Sequence, residues 1–226
     1  MGNIALIPAR GGSKRIPKKN IRDFLGKPII AYTINAAKQA GCFDRIIVST
    51  DCPDIKKIAE ECGAEVPFIR PEEISTDHAT TNDVIKHAIG WLGGTVEYLC
   101  CLYATAPFIR SEDILEGVEK LKDNPSASYA LTVTSFPFPI QRAVKIIDGR
   151  LEMFEPKNLL TRSQDLEEAY HDAGQFYWGR PEAFLNDVAF FSEVSIPIRL
   201  PRHLVQDIDT EEDWHRAELL YKASCE

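Results

Sequence analysis

No uncharged apolar stretch of this 226-residue chain approaches the about 20 residues that a membrane-spanning helix needs. The longest runs only from Tyr98 to Ala106. The first residues lack the basic, apolar and small-residue order of a secretory signal. Six cysteines (Cys42, Cys52, Cys62, Cys100, Cys101, Cys225) contain no Cys-x-x-Cys pair, and none stands at a zinc-ligand spacing from the five histidines. Reduced thiols and a cytoplasmic location are therefore expected, with no membrane partner. A broad positive field is also missing: the net formal charge is -8, which excludes a general nucleic-acid or anionic-lipid surface. Neither a Walker A loop nor a G-x-G-x-x-G turn occurs.

What the chain does have is a local reversal of its charge. Between residues 10 and 22 lie Arg10, Lys14, Arg15, Lys18, Lys19 and Arg22 and no acid, so removing these six leaves -14 on the remainder. The segment follows the apolar run Ile4-Ala5-Leu6-Ile7 and surrounds Gly11, Gly12 and Ser13. A solvated basic loop is one reading. The other is a phosphate cradle at the carboxyl end of a first strand, where open α/β sheets bind ligands. Glycines there let backbone N–H groups approach phosphate oxygens, and each close cation–phosphate pair is worth on the order of 4 kcal/mol gross at an effective dielectric near 20.

Through residue 135, apolar runs alternate with helical patterns, which predicts an α/β fold built on a mostly parallel sheet. Strands are expected at 4–8, 45–49, 64–70, 98–103 and 129–135. Helices are expected after Lys27 with Pro28 in first position, from Pro53 to Gly63, over 82–91 and from a Ser111 cap. The pattern then changes. Val144–Ile147 and Arg150–Met153 flank Asp148-Gly149, a hairpin signal, and residues 154–170 lack periodicity. A strand at 174–178, a short helix at Pro181, a last strand at 204–208 and a capping box at Thr210–Asp213 complete the reading. One domain over residues 1–226 is expected, with an excursion at about 136–172.

Asp207 and Asp209 form a second constellation. In extended chain, side chains at i and i+2 share a face, so the pair suits one hard cation held with substrate phosphates; simple capping of the next helix is the alternative. Arg162 could pair bidentately with a carboxylate, and the aromatics of Tyr170–Trp178 could line an apolar wall or fill a core. Arg70 and the Asp77–Thr81 loop could hold a base and ribose, although Thr81 also suits a helix cap.

With these segments in order, the chain resembles the CMP-sialic acid synthetase family, cytidylyltransferases that activate nine-carbon acidic sugars. The resemblance runs from the first strand to Asp213. It implies that Ala9, Arg10, Gly11, Gly12, Ser13, Lys14, Lys19 and Asn20 hold the CTP phosphates, and that Arg70, Ala79, Thr80 and Thr81 read cytosine and ribose. It implies Mg2+ on Asp207 and Asp209, with Arg10 and Lys19 joining them in catalysis. Tyr103, Thr105, Gln141, Arg142, Arg162, Gln164, His171, Ala173 and Phe176 are the implied sugar contacts. The implied fold is a Rossmann-like sheet with helices on both faces and a protruding dimerisation element, hence a homodimer.

Within that family, Cys100–Pro107 and Tyr170–Trp178 look most like the branch that uses pseudaminic acid. Ala173-Gly174 stands where sialic acid enzymes carry Asn-Gly, and Tyr103-Ala104-Thr105-Ala106-Pro107 stands where they show Gln-Pro-Thr-Ser-Pro. Fewer polar donors suit a sugar with fewer hydroxyls and a terminal methyl. The expected reaction is attack of the sugar's anomeric hydroxyl on the α-phosphorus of CTP. Legionaminic or N-acetylneuraminic acid are the alternative sugars. A catalytically silent nucleotide-binding module is the alternative class, against which the aspartate pair argues.

Overall fold

A computed structural model describes residues 2–94 and 96–224. The first half of the chain holds β1 (Gly2–Pro8), β2 (Asp23–Phe24), β3 (Lys27–Pro28), α1 (Ile29–Ala40), β4 (Arg45–Ser49), α2 (Pro53–Glu61), α3 (Thr81–Leu92) and β5 (Val96–Leu102). The second half holds α4 (Ser111–Asp123), β6 (Tyr129–Ser135), β7 (Val144–Ile147), β8 (Arg150–Met153), β9 (Tyr170–Gly179), α5 (Pro181–Leu185), β10 (Ser195–Arg199) and α6 (Glu211–Ser224). Among the described residues, six strands share one sheet in the order β10-β6-β9-β5-β1-β4. All its pairings are parallel except those of β9, which runs against both β5 and β6.

Strand alternation splits the core in two. Ala5 and Ile7 of β1 and Cys100 and Leu102 of β5 face one apolar cluster, covered by α1, α2 and α4 through Ile34, Ile55 and Ile114. Ile4, Leu6, Leu99 and Cys101 face the other, covered by α3 and α5 through Ile85 and Phe184. Helices therefore lie on both faces, and the near-continuous apolar run of β5 follows from burial on both sides. Gly117 of α4 passes so close to β9 that a Cβ there would meet Trp178 Cδ1 at 2.5 Å. We expect Gly117→Ala to lower the unfolding free energy by about 1–3 kcal/mol through overpacking, read from the denaturant midpoint.

Several local expectations are corrected. Residues 64–70 form no strand. Their backbone pairing is limited to the isolated bridges Ile47↔Glu65, on β4, and Thr50↔Ile69, just past its end, and Pro67 between them has no N–H to give a ladder. Residues 204–208 also pair with nothing in the sheet; its edge is occupied by β10, where Pro197 is tolerated because an edge strand can spare a donor. Pro28 precedes α1 as its cap and is not its first residue. Thr80, not Thr81, caps α3, in a reciprocal capping box with Asp83. Ser111 is already helical and makes no cap bond. The strand read at 174–178 starts at Tyr170, so the excursion is confined to residues 136–169.

The hairpin of β7 and β8 turns at Asp148 and Gly149 with φ of 49° and 75°, the positive pair that a type I′ turn needs. Cys42, Cys52, Cys62, Cys100 and Cys101 are free thiols; Cys225 lies outside the described residues.

A third apolar cluster ties the basic loop to the start of α6. It joins Ile16 of that loop to Phe24, Ile29, Phe108, Ile208, Trp214 and Ala217. Ile16 and Ile208 are both fully buried, each contributing about 1.5–3 kcal/mol by leaving water. Because Ile208 stands between Asp207 and Asp209, burying it beside Ile16 carries the aspartates to the basic loop.

Candidate active site

The loop after β1 is held from within and from behind. Asn20 Nδ2 donates to the Arg10 carbonyl at 2.9 Å, and Lys19 Nζ donates to the Ile208 carbonyl at 2.7 Å. Gly11 donates its N–H to Asp51 Oδ1 at 2.8 Å, and a Cβ on it would meet Cys52 Cβ at 2.8 Å. Gly11 is thus required for close packing on the turn after β4, and its N–H is already used inside the protein. This corrects the reading of Gly11 as a phosphate donor. Ala9 is buried and bonded to the Ser49 carbonyl, whereas Gly12 is exposed.

The remaining loop residues open onto a cavity of ≈ 570 Å³. Arg10, Ser13, Lys14, Lys19 and Asn20 line it together with Arg70, Ala79, Thr80, Thr81, Thr105 and Asp209. Asp77 bridges two of the cations, 2.6 Å from Arg10 Nη1 and 2.5 Å from Lys14 Nζ, and these partners hold its carboxyl down to about 2. Asp209 Oδ1 lies 2.7 Å from Arg15 Nη2 and 3.5 Å from Lys19 Nζ. Arg70 is only 4% exposed. Its Nε donates to Ser75 Oγ at 3.2 Å, its Nη2 is 3.8 Å from Asp51 Oδ1, and that Nη2 has no hydrogen-bond partner. Burial pushes the Arg70 pKa down, Asp51 opposes this, and the nearby Arg10 adds to it. The cavity therefore offers an anion several cations, one of them buried and incompletely satisfied.

A neighbouring cavity of ≈ 660 Å³ has two kinds of wall. His171, Asp172, Ala173 and Gly174 of β9, with Thr134 and Ser135 of β6, come from the sheet. Arg202, His203, Gln206 and Asp207 come from the segment after β10, and Arg216 and Leu220 from one face of α6. Tyr103, just beyond β5, borders both cavities. Its phenol lies 3.4 Å from that of Tyr177, which donates to Asp172. Burial raises the pKa of both tyrosines. The Asp207 carboxyl is also pushed up, first by partial withdrawal from water and next by the charge of Asp209.

Other sequence candidates fall elsewhere. Phe176 is fully buried in the first core cluster and lines neither cavity, because inward-facing positions of β9 are packed against α4. Gln141, Arg142, Arg162 and Gln164 line neither cavity as well. Gln141 Nε2 donates to the Glu167 carbonyl, Arg142 to Ser163 and Arg162 to Asp165, all within the excursion. Sequence reasoning did not find Asp77 as counter-ion, since 63 residues separate it from Lys14. Nor did it find Arg202 or Arg216, which the fold brings to one cavity from the segment after β10 and from α6.

A model of the cytidylyltransferase family matches residues 4–210. The chain is 44% identical, over 100% of its length and 99% of the relative's, to a pseudaminic acid cytidylyltransferase of Campylobacter jejuni subsp. jejuni serotype O:2. It is 34% identical, over 99% of its length and 97% of the relative's, to a CMP-N,N'-diacetyllegionaminic acid synthase of Legionella pneumophila subsp. pneumophila. Among solved structures, a CMP:2-keto-3-deoxy-manno-octonic acid synthetase complexed with CTP superposes with a TM-score of 0.73 at 18% identity, covering 99% of this chain and 100% of that one. What the two chains share is the mostly parallel α/β sheet flanked by helices.

Proposed function

We propose, for a chain that belongs to the cytidylyltransferase family, that it transfers CMP from CTP to the anomeric hydroxyl of pseudaminic acid with release of pyrophosphate. The observation that carries the reading is the convergence of Arg10, Lys14, Lys19, Arg70 and Asp209 on one cavity, with a second cavity sharing its Tyr103 wall. The first suits a nucleoside triphosphate, the second the sugar. Arg10, Lys14 and Lys19 bind and neutralise the phosphates, and Arg70 with the Ala79–Thr81 turn takes the nucleoside. Tyr103 separates the substrates and orients them for in-line attack on the α-phosphorus, so that catalysis comes chiefly from positioning and charge.

Magnesium fits the chemistry of the donor set. Asp207 and Asp209 supply two crowded carboxylates, and among the described residues no group of three or more His, Cys, Asp or Glu offers a complete protein cage. Magnesium characteristically completes such a pair with water and substrate phosphates. When bound, it supplies charge neutralisation at the phosphates. The proposed compartment is the cytoplasm, which keeps thiols reduced.

Purified protein with CTP, magnesium and pseudaminic acid is expected to release pyrophosphate and yield a CMP-sugar identified by mass spectrometry. Its kcat/KM should exceed that for legionaminic or N-acetylneuraminic acid by about tenfold or more. No turnover with any of the three, or another sugar in the lead, overturns the assignment.

We further propose a homodimer formed through the excursion. Ile146 and Leu151, cross-strand neighbours on the hairpin, are 75% and 74% exposed, and elsewhere in the excursion Phe138 and Leu160 are exposed as well. A concentration of exposed apolar side chains in one segment marks a protein interface. Ile146→Asp with Leu151→Asp is expected to halve the mass in sedimentation velocity and to leave the sheet's circular dichroism unchanged. A wild type that already sediments as a monomer at micromolar concentration removes the homodimer proposal.

A further inference from the structure

We propose that the ≈ 660 Å³ cavity is electrically divided to read an acidic sugar end by end: Arg202 and Arg216 clamp its carboxylate, while Asp172 accepts hydrogen bonds from its hydroxyl or amide groups. This rests on the reading of that cavity as the sugar site.

The cationic wall is available for a ligand. The loop cations Arg10, Lys14, Arg15 and Lys19 are each matched by Asp77 or Asp209. Among the described residues, no ion pair or hydrogen bond engages the guanidinium of Arg202 or Arg216. The acid that feels the charge of Arg216 is Asp213, whose Oδ2 already accepts from the N–H groups of Asp209 and Thr210 and from the Thr210 hydroxyl. Two guanidiniums from different elements, one on the segment after β10 and one on α6, therefore face a cavity without a carboxylate of their own. Planar forks of this kind match a carboxylate in a bidentate manner.

The sheet wall has the opposite character, and its orientation is fixed. Asp172 Oδ1 takes the Gly174 N–H at 2.8 Å and Oδ2 takes the Tyr177 hydroxyl. With its proton committed to Asp172, Tyr177 can only accept from Tyr103, 3.4 Å away. The chain of donors thus runs from Tyr103 toward Asp172, and the remaining lone pairs of this carboxylate can only accept. A second carboxylate beside it would meet repulsion, so the sugar's acid group is steered to the arginines. In a 2-keto acid sugar the carboxylate is bonded to the anomeric carbon. The arginines' wall also carries Asp207, one acid against two guanidiniums, whereas the sheet wall carries Asp172 and no arginine or lysine. The net charge still favours the arginine side. Asp207 is two residues from Asp209, which places the reacting hydroxyl toward the triphosphate cavity.

The test uses full-length protein and pseudaminic acid alongside its methyl ester. Arg202→Ala and Arg216→Ala are each expected to raise the sugar KM by about tenfold or more and to leave the CTP KM within about twofold, as loss of a charge-assisted contact to one substrate requires. Lysine at either position should restore part of that loss, since it keeps the charge and not the fork. In titration calorimetry with a non-hydrolysable CTP analogue present, wild type should prefer the acid over the ester. Arg202→Ala/Arg216→Ala should lose that preference, and Asp172→Asn should retain it. A preference that survives in the double variant, or an unchanged sugar KM, overturns the clamp. Thermal melts accompany each variant, and the single variants carry the test if the double one unfolds. A wild type inactive on every acidic sugar instead removes the reaction assignment itself, so the two failures are distinguishable.

Discussion

Asp209→Ala is expected to cut kcat by about a hundred- to a thousandfold while hardly changing stability. The two halves of this expectation have separate causes. Asp209 pairs with Arg15 and Lys19, but its own side chain is 39% exposed and that of Arg15 is 66% exposed. Exposed pairs contribute about 0–1 kcal/mol, which in a chain of this size moves the melting midpoint by no more than about 4 °C. Its chemical role is larger, because Asp209 borders the phosphate cavity and, unlike Asp77 on the same lining, sits beside Asp207. Deleting it removes half of the proposed magnesium pair. It also frees Arg15 and Lys19, so CTP binding in the absence of metal should hold steady or tighten. The measurement is kcat at saturating CTP, sugar and magnesium, beside a thermal melt. Turnover within about threefold of wild type removes Asp209 from the machinery.

Arg70→Met should separate function from stability in the opposite sense. Arg70 is a buried cation whose nearest carboxylate, on Asp51, is 3.8 Å away, and whose Nη2 lacks a hydrogen-bond partner. Removing an incompletely paired buried charge recovers its desolvation cost, and the Asp51 left behind is 30% exposed and still accepts from the Gly11 N–H, so no buried charge is stranded. We expect the ligand-free variant to melt at the same temperature as wild type or above it. Its CTP KM should rise by about tenfold to a hundredfold, since a charge-assisted contact in a desolvated pocket is lost. A variant that melts well below wild type assigns Arg70 to the fold, and an unchanged CTP KM takes it out of the nucleotide pocket.

Periodicity and turn chemistry made much of the architecture legible. β4 and β6 span the residues expected for them, 45–49 and 129–135, and Asp148-Gly149 marks its hairpin because few other dipeptides accept two positive φ values. The errors have equally local causes. Glu65–Ile69 has strand composition, yet Pro67 and its place beside an edge leave it with two bridges. Ser195–Arg199 contains a proline that hides a strand when its edge position is unknown. Leu204, Val205 and Ile208 gave residues 204–208 the look of a strand for another reason: the segment tucks Ile208 under the basic loop.

The candidate site was legible where charge is concentrated along the chain, as in residues 10–22 or at Asp207 and Asp209. It was not legible where a cavity wall is assembled from distant segments. Arg202 and Arg216 are ordinary surface residues in one dimension, and Asp77, read as part of a nucleoside loop, shows its pairing with Arg10 and Lys14 only once the topology gathers them. Phe176 shows the reverse: although Asp172, Ala173 and Gly174 line the cavity, the register of β9 against β6 shifts between them and Tyr177, and Phe176 is turned into the core.

The carboxylate of Asp77, seated between Arg10 and Lys14, gives the loop a resident competitor. An arriving polyanion does not meet bare cations; it trades places with a tethered one. Such an exchange frees few mobile counter-ions, so affinity for the polyanion should depend weakly on added salt. Cutting the tether with Asp77→Ala should convert that shallow dependence into a steep one.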